Sequence, residues 1–162
     1  MIKLIRPGVE LLDAAVAGDA ELAQALGNDV VPGWSTFVEA LRITRDAQVA
    51  DPGALTWGAR LFVGGEPPEL VGWGGFKGPP RDGIVELGYE IAESRQGRGF
   101  ATAAVQAMVA EALTDDQVAV VIAHTLPEAN ASNRVLIKAG FSFEGEAYEG
   151  DTAVWRYSLG RD

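Results

Sequence analysis

Short stretches in which apolar and polar residues alternate give way repeatedly to longer ones in which apolar residues recur three and four positions apart, so strands and helices interleave along one chain. Residues 2–5 read as a first strand ended by Pro7 and Gly8. The Ala- and Leu-rich stretches 9–17 and 20–26 read as helices, the second stopped by Gly27 and Asn28. After Val31-Pro32-Gly33, Ser35 is placed to cap a longer helix reaching about Val49, with Phe37, Leu41 and Val38 on its buried side. Residues 55–63 and 69–77 predict two strands joined by Gly64-Gly65-Glu66-Pro67-Pro68, a loop suited to an antiparallel hairpin.

A strand over 84–91 follows the turn at residues 78–83, with Val85, Leu87, Tyr89 and Ile91 on one face, expected to be core, and Glu86 and Glu90 on the other. The period becomes helical over 99–113, where Phe100, Ala103, Ala104, Ala107, Met108 and Glu111 recur at helical steps. A strand over 118–125, a helix over 131–139 ended by Gly140, and a strand pair over 141–146 and 153–159 across a loop near Gly150 complete the series. Trp73 and Phe76 fall on opposite faces of their strand, so one is expected in the core and the other is available to line a pocket. There is no internal repeat and no dividing linker, so residues 1–162 are read as a single domain.

Composition narrows the chemistry. With no cysteine, disulfides, thiolate metal sites and a cysteine acyl-enzyme are excluded. A net charge of −10 opposes nucleic acid as a partner and favours a cationic one. The start of the chain leaves no room for a signal peptide before Pro7, and the longest strongly apolar run, 118–123, falls far short of the roughly 20 residues needed to cross a bilayer. The expectation is a soluble protein with no membrane partner and a cytoplasmic address.

The most informative stretch is Gln96-Gly97-Arg98-Gly99-Phe100-Ala101, between a strand and the first turn of an apolar-faced helix. Glycines there let the backbone approach a ligand, successive N–H groups converge, and the helix dipole adds positive potential, which together suit a diphosphate. Arg95 and Arg98 add positive charge to an acidic chain. A dinucleotide fingerprint is excluded because Thr102 replaces the third small residue and the next strand carries no acid, and a P-loop because Gly-Lys-Ser/Thr is absent.

Gln96-x-x-Gly99-x-Ala101 resembles the acetyl-CoA signature of the GNAT superfamily, and Ala131-Ser132-Asn133-Arg134-Val135-Leu136-Ile137-Lys138-Ala139-Gly140-Phe141 is similar to a second helix motif of that family, especially its ribosomal-protein-alanine acetyltransferases. The resemblance implies a mixed α/β (α+β) fold: a mostly antiparallel sheet of about six to seven strands, helices on both faces, and a splay between strands 4 and 5. It implies acetyl-CoA as cosubstrate without a metal, the pantetheine arm bonding the backbone at Tyr89 and Ile91 and the pyrophosphate held by Gln96, Gly97, Arg98, Gly99, Phe100, Ala101 and Thr102. A bulge that opens the splay is expected at Gly88.

It further implies direct transfer to a primary amine, a protein N-terminus or a small amine, in a ternary complex. Two residues compete as the base: Glu86, a position some relatives use, and His124, whose side chain titrates in the useful range without perturbation. A solvated strand face for Glu86 and a hydrogen-bonded strand end for His124 are the plain alternatives. The family's asparagine falls at Ala129, with Asn130 adjacent as a substitute near the cofactor, and its thiolate-protonating tyrosine falls at Leu136, which leaves Ser132 as the nearest hydroxyl or, alternatively, as a helix cap. Trp34 lies where similar proteins build the acceptor wall, and homodimers are common among them. The two other readings are a noncatalytic acyl-CoA binding or sensing domain, favoured by Leu136 and Ala129, and a nucleotide-binding module unrelated to CoA.

Overall fold

A computed structural model describes residues 1–161. In chain order the elements are β1 (Ile2–Ile5), α1 (Val9–Ala17), α2 (Asp19–Leu26), β2 (Asp29–Val30), α3 (Val38–Ala50), β3 (Ala59–Gly64), β4 (Glu69–Phe76), β5 (Ile84–Ile91), α4 (Phe100–Ala112), β6 (Val120–Thr125), α5 (Ala131–Ala139), β7 (Ser142–Glu149) and β8 (Thr152–Gly160). The strands form one sheet in the order β1-β3-β4-β5-β6-β8-β7, with the two-residue β2 lying parallel to the start of β4. Along this path only β5 and β6 run parallel; the other neighbours are antiparallel.

Each face of the sheet carries its own core, because strand side chains alternate between faces. On one side Phe62, Val85, Leu87 and Phe76 meet Ala104, Val105 and Met108 of α4 and Leu136 of α5. On the other, Leu61, Val63, Leu70 and Trp73 meet Leu12 of α1, Leu22 of α2 and Leu41 of α3. Trp73 and Phe76 thus divide between faces as their spacing requires, and both are buried. Trp34 is buried too, packed edge-on to Trp73 with centroids 5.9 Å apart.

Several local expectations are corrected. The stretch 55–58 is not strand: Pro52–Leu55 forms a single 3-10 turn, and β3 begins at Ala59. Ser35 does not cap α3, which starts at Val38 after an uncapped Phe37. Phe37 and Val38 are exposed and Leu41 alone of the expected three is buried, the buried positions of this helix being Leu41 and Gln48. The buried stripe of α4 is Ala104, Val105, Met108, Val109 and Ala112, rotated from the expected one, and Glu111 turns away to pair with Arg60 and Arg6. No bulge occurs at Gly88, which pairs in regular register with Gly75.

Candidate active site

The parallel pairing of β5 with β6 runs through Ile84, Val85 and Glu86 and then stops, although β5 continues to Ile91 and β6 to Thr125. The two strands therefore part beyond Glu86. This is the splay expected between the fourth and fifth strands, displaced by one number because β2 is counted. Ala92 donates to the Val71 carbonyl and Glu86 accepts from Lys77, so the backbone groups of even-numbered residues face β4. Those of Tyr89 and Ile91 face the opening. The Ile91 carbonyl accepts from Gln96 Nε2 at 3.1 Å, so Gln96 braces the turn against the end of β5.

At that turn Gly97 and Gly99 have φ of 78° and 83°. For a residue with a Cβ this conformation costs roughly 1–2 kcal/mol. A Cβ on either would meet nothing within 4 Å, so backbone conformation rather than crowding calls for glycine. Among the described residues nothing accepts a hydrogen bond from the amides of Gly97, Arg98, Gly99, Phe100, Ala101 or Thr102, and α4 begins among them. The result is a rank of open N–H donors at a positive helix end. Of the two arginines, Arg95 is engaged by both Glu69 oxygens at 3.1 Å, and it holds that carboxyl below its usual range. Among the described residues Arg98 makes no ion pair, so its positive charge is left open at the turn.

Glu86 and His124, rivals in sequence, are partners in space. His124 Nδ1 lies 3.0 Å from Glu86 Oε2 and 3.0 Å from Glu149 Oε1. A ring nitrogen facing two carboxylates carries the hydrogen, so in the neutral ring Nε2 holds the lone pair. Lys77 Nζ, 2.8 Å from Glu86 Oε2, completes the group. Burial alone would raise the Glu86 pKa, but hydrogen bonds from Lys77 and His124 outweigh it and keep the carboxyl below its ordinary range. Lys77 is correspondingly raised: its ion pair with Glu86 overcomes its own desolvation. Glu86, His124 and Glu149 place one ligand atom each within 4.8 Å of one another, a metal-like spacing, but the Lys77 ammonium already supplies a cation there.

Glu90, the other acid on this face of β5, accepts from the Trp73 indole at 3.0 Å, from the Thr36 amide at 3.0 Å and from the Thr36 hydroxyl. Between Lys77 and Glu90 a cleft of about 640 Å³ runs between α3 and strands β4 and β5.

Asn130 caps α5 reciprocally with Asn133: each side chain accepts the other's backbone N–H, and Asn133 Nδ2 also donates to the Thr125 hydroxyl at 2.8 Å. Ser132 is consequently not the cap, and its hydroxyl has no protein partner among the described residues. Its carbonyl accepts from the Tyr89 phenol at 3.2 Å; burial pushes that phenol up to about 12. Leu136 is fully buried in the core. Lys77, Glu149 and Asn133 escaped sequence reasoning: the first two reach the site only through strand register, whereas the Asn130-x-x-Asn133 spacing was a readable capping signal.

The acetyltransferase (GNAT) domain family matches residues 8–142. The chain is 28% identical over 144 residues to the uncharacterized N-acetyltransferase YjdG of Bacillus subtilis (strain 168), covering 87% of this chain and 86% of that one. Its fold is similar to that of the ribosomal L7/L12 alpha-N-protein acetyltransferase RimL solved with coenzyme A, with TM-score 0.71, 18% identity and coverage of 98% of this chain and 93% of that one. It is also similar to that of the microcin C7 self-immunity acetyltransferase MccE solved with acetyl-CoA and AMP, with TM-score 0.70, 14% identity and coverage of 99% and 92%. The parted strands, the glycine turn at their end and a family match over most of the chain agree: this protein belongs to the GNAT acetyltransferases.

Proposed function

We propose that this enzyme transfers the acetyl group of acetyl-CoA to a primary amine by direct attack in a ternary complex, with His124 as the base. The observation that carries the reading is the placement of the Glu86–His124 pair at the fork where β5 and β6 part, with the amide-lined turn at the other end of the opening. The pyrophosphate binds the open amides of residues 97–102 and Arg98, and the pantetheine amides bond the backbone groups of Tyr89 and the Ile91 N–H, the Ile91 carbonyl being held by Gln96. Acetyl-CoA and CoA in the solved complexes of MccE and RimL support this donor.

His124 Nε2 takes a proton from the acceptor ammonium, directly or through one water. The freed nitrogen lone pair attacks the thioester carbonyl carbon, the C–S bond breaks, and its electron pair leaves with sulfur. The nitrogen gives up its second proton to solvent as the amide forms, and the thiolate takes a proton from the Ser132 hydroxyl, which solvent replenishes. Glu86, kept anionic by Lys77, orients the ring and stabilises its protonated form. Asn130 serves the cofactor indirectly, by fixing the start of α5 that presents Ser132.

The test is amine-dependent release of CoA, followed together with acetyl-CoA binding, in the native chain and in the double variant Glu86→Gln/His124→Gln. The expected result is that the variant binds acetyl-CoA and loses turnover. Binding without turnover in the native chain across a broad amine panel supports instead a noncatalytic acyl-CoA sensor.

A further inference from the structure

The cleft between α3 and β4/β5 shows what kind of amine it accepts. Its floor lacks a side chain at Gly88, and its walls include Ile43 and Ala47 of α3 and Trp73 of β4, with Trp57 also in the lining. Ile43 is 63% exposed, although it projects beside this apolar surface.

The polar groups of the lining are already engaged. The Thr44 hydroxyl donates to the Ala40 carbonyl at 2.8 Å, and the Gln48 amide to the Pro7 carbonyl at 2.9 Å. Glu90 accepts from Trp73 and Thr36, and Lys77 is paired with Glu86. A guest carrying many hydroxyls or several ammonium groups would lose its water there and gain few partners in return. An apolar body gains by leaving water. At the Lys77 end the cleft meets the acid-base group, so a guest lying along it brings one end to His124.

Resting on the acetyltransferase reading above, we propose that the acceptor is a primary amine carried on a bulky apolar body, an aryl- or branched-alkylamine, and that Gly88 sets the room for that body. A Cβ at Gly88 would meet only Lys77 Cε at 3.9 Å, and Gly88 lies in regular β5 backbone, so a larger residue there would fill the cleft without disturbing the sheet.

The experiment compares kcat/KM for 2-phenylethylamine and tryptamine with that for spermidine and kanamycin, in the native enzyme and in Gly88→Leu and Ile43→Asp. Acetyl-CoA affinity is measured alongside by calorimetry. The expected result is a preference for the arylalkylamines of about tenfold or more, lost through a raised KM in both variants while acetyl-CoA affinity is unchanged. Equal or better turnover of spermidine or kanamycin overturns the proposal and leaves the acetyltransferase reading standing. Unaltered arylalkylamine kinetics in Gly88→Leu overturns it as well, with Ile43→Asp guarding against a folding defect. Absence of acetyl-CoA binding, or of turnover with every amine, defeats the underlying reading itself.

Discussion

Arg60 fixes the stretch that carries Trp57 into the lining of the cleft proposed for the acceptor, and replacing it should be felt in both stability and substrate binding. Its side chain is fully buried on β3, yet all three of its nitrogens donate. Nε binds Glu111 Oε2 at 3.0 Å, Nη1 reaches the carbonyls of Leu55, Gly58 and Ala59, and Nη2 reaches the Thr56 carbonyl at 2.7 Å. The guanidinium also lies 5.4 Å from the Phe76 ring centroid. The carbonyls it gathers flank Trp57, so one cation fixes the irregular stretch that strand propensity cannot. Arg60→Met keeps apolar volume but leaves the Leu55, Thr56 and Ala59 carbonyls without this donor and Glu111 with Arg6 alone, at 3.6 Å. Glu111 is 32% exposed, so the stranded carbonyls dominate and the cost is roughly 2–4 kcal/mol. For a chain of this size that corresponds to a fall in Tm of roughly 4–16 °C. Urea unfolding followed by circular dichroism measures the loss, and Arg60→Met/Glu111→Gln should recover part of it by removing the stranded charge. KM for the acceptor should rise with little change in acetyl-CoA affinity. A loss under about 1 kcal/mol, or no recovery in the double variant, would refute the reasoning.

Three further outcomes follow from the site. His124→Gln should lower kcat by about 10²–10⁴-fold, and adding Glu86→Gln should lower it little further because the two act as one unit; additive losses in steady-state kinetics would separate them. Asn133→Ala should cost about 1–2 kcal/mol through the lost half of the reciprocal cap and the lost bond to the Thr125 hydroxyl, read by urea unfolding, with Asn133→Asp retaining the cap; equal loss in both variants would contradict that assignment. Glu86, whose native carboxyl lies below the unfolded value of about 4.3, binds fewer protons folded than unfolded across that interval. Its contribution is therefore complete above the interval and is lost as pH falls through the native value, and Glu86→Gln should flatten the acid limb of the stability profile. An identical acid limb in native chain and variant would count against the Lys77–Glu86–His124 network.

What the sequence made legible was local. The two glycines of the turn could be read because left-handed backbone admits few alternatives, and the faces of β5 because alternation along a strand is rigid. The Trp73 and Phe76 division followed from the same rule. Where the reading slipped, tertiary contacts decided. Residues 55–58 are rich enough in apolar side chains for a strand, but the buried Arg60 gathers their carbonyls into a turn. The stripe of α4 rotated because Val105 and Val109, not Ala103 and Ala107, are the buried positions, while Glu111 answers Arg60. At the site the two candidate bases, Glu86 and His124, were readable one at a time. Their pairing was not, since it needs the parallel register of β5 and β6; the antiparallel return from β4 to β5 sets Lys77 beside Glu86, and β7 brings Glu149 from far along the chain. The splay needed no bulge at Gly88; the strands simply stop pairing after Glu86.

Binding of acetyl-CoA at the glycine turn, measured by calorimetry in the native chain, Gly99→Asp and Gly99→Asn, tests the central claim most directly. Aspartate and asparagine both tolerate the left-handed conformation better than other substitutes, so the pair isolates charge from backbone strain. The account predicts micromolar binding that exceeds that of ADP, modest weakening in Gly99→Asn, and near-complete loss in Gly99→Asp. Acetyl-CoA that binds no better than ADP, or as tightly to Gly99→Asp as to Gly99→Asn, would contradict it.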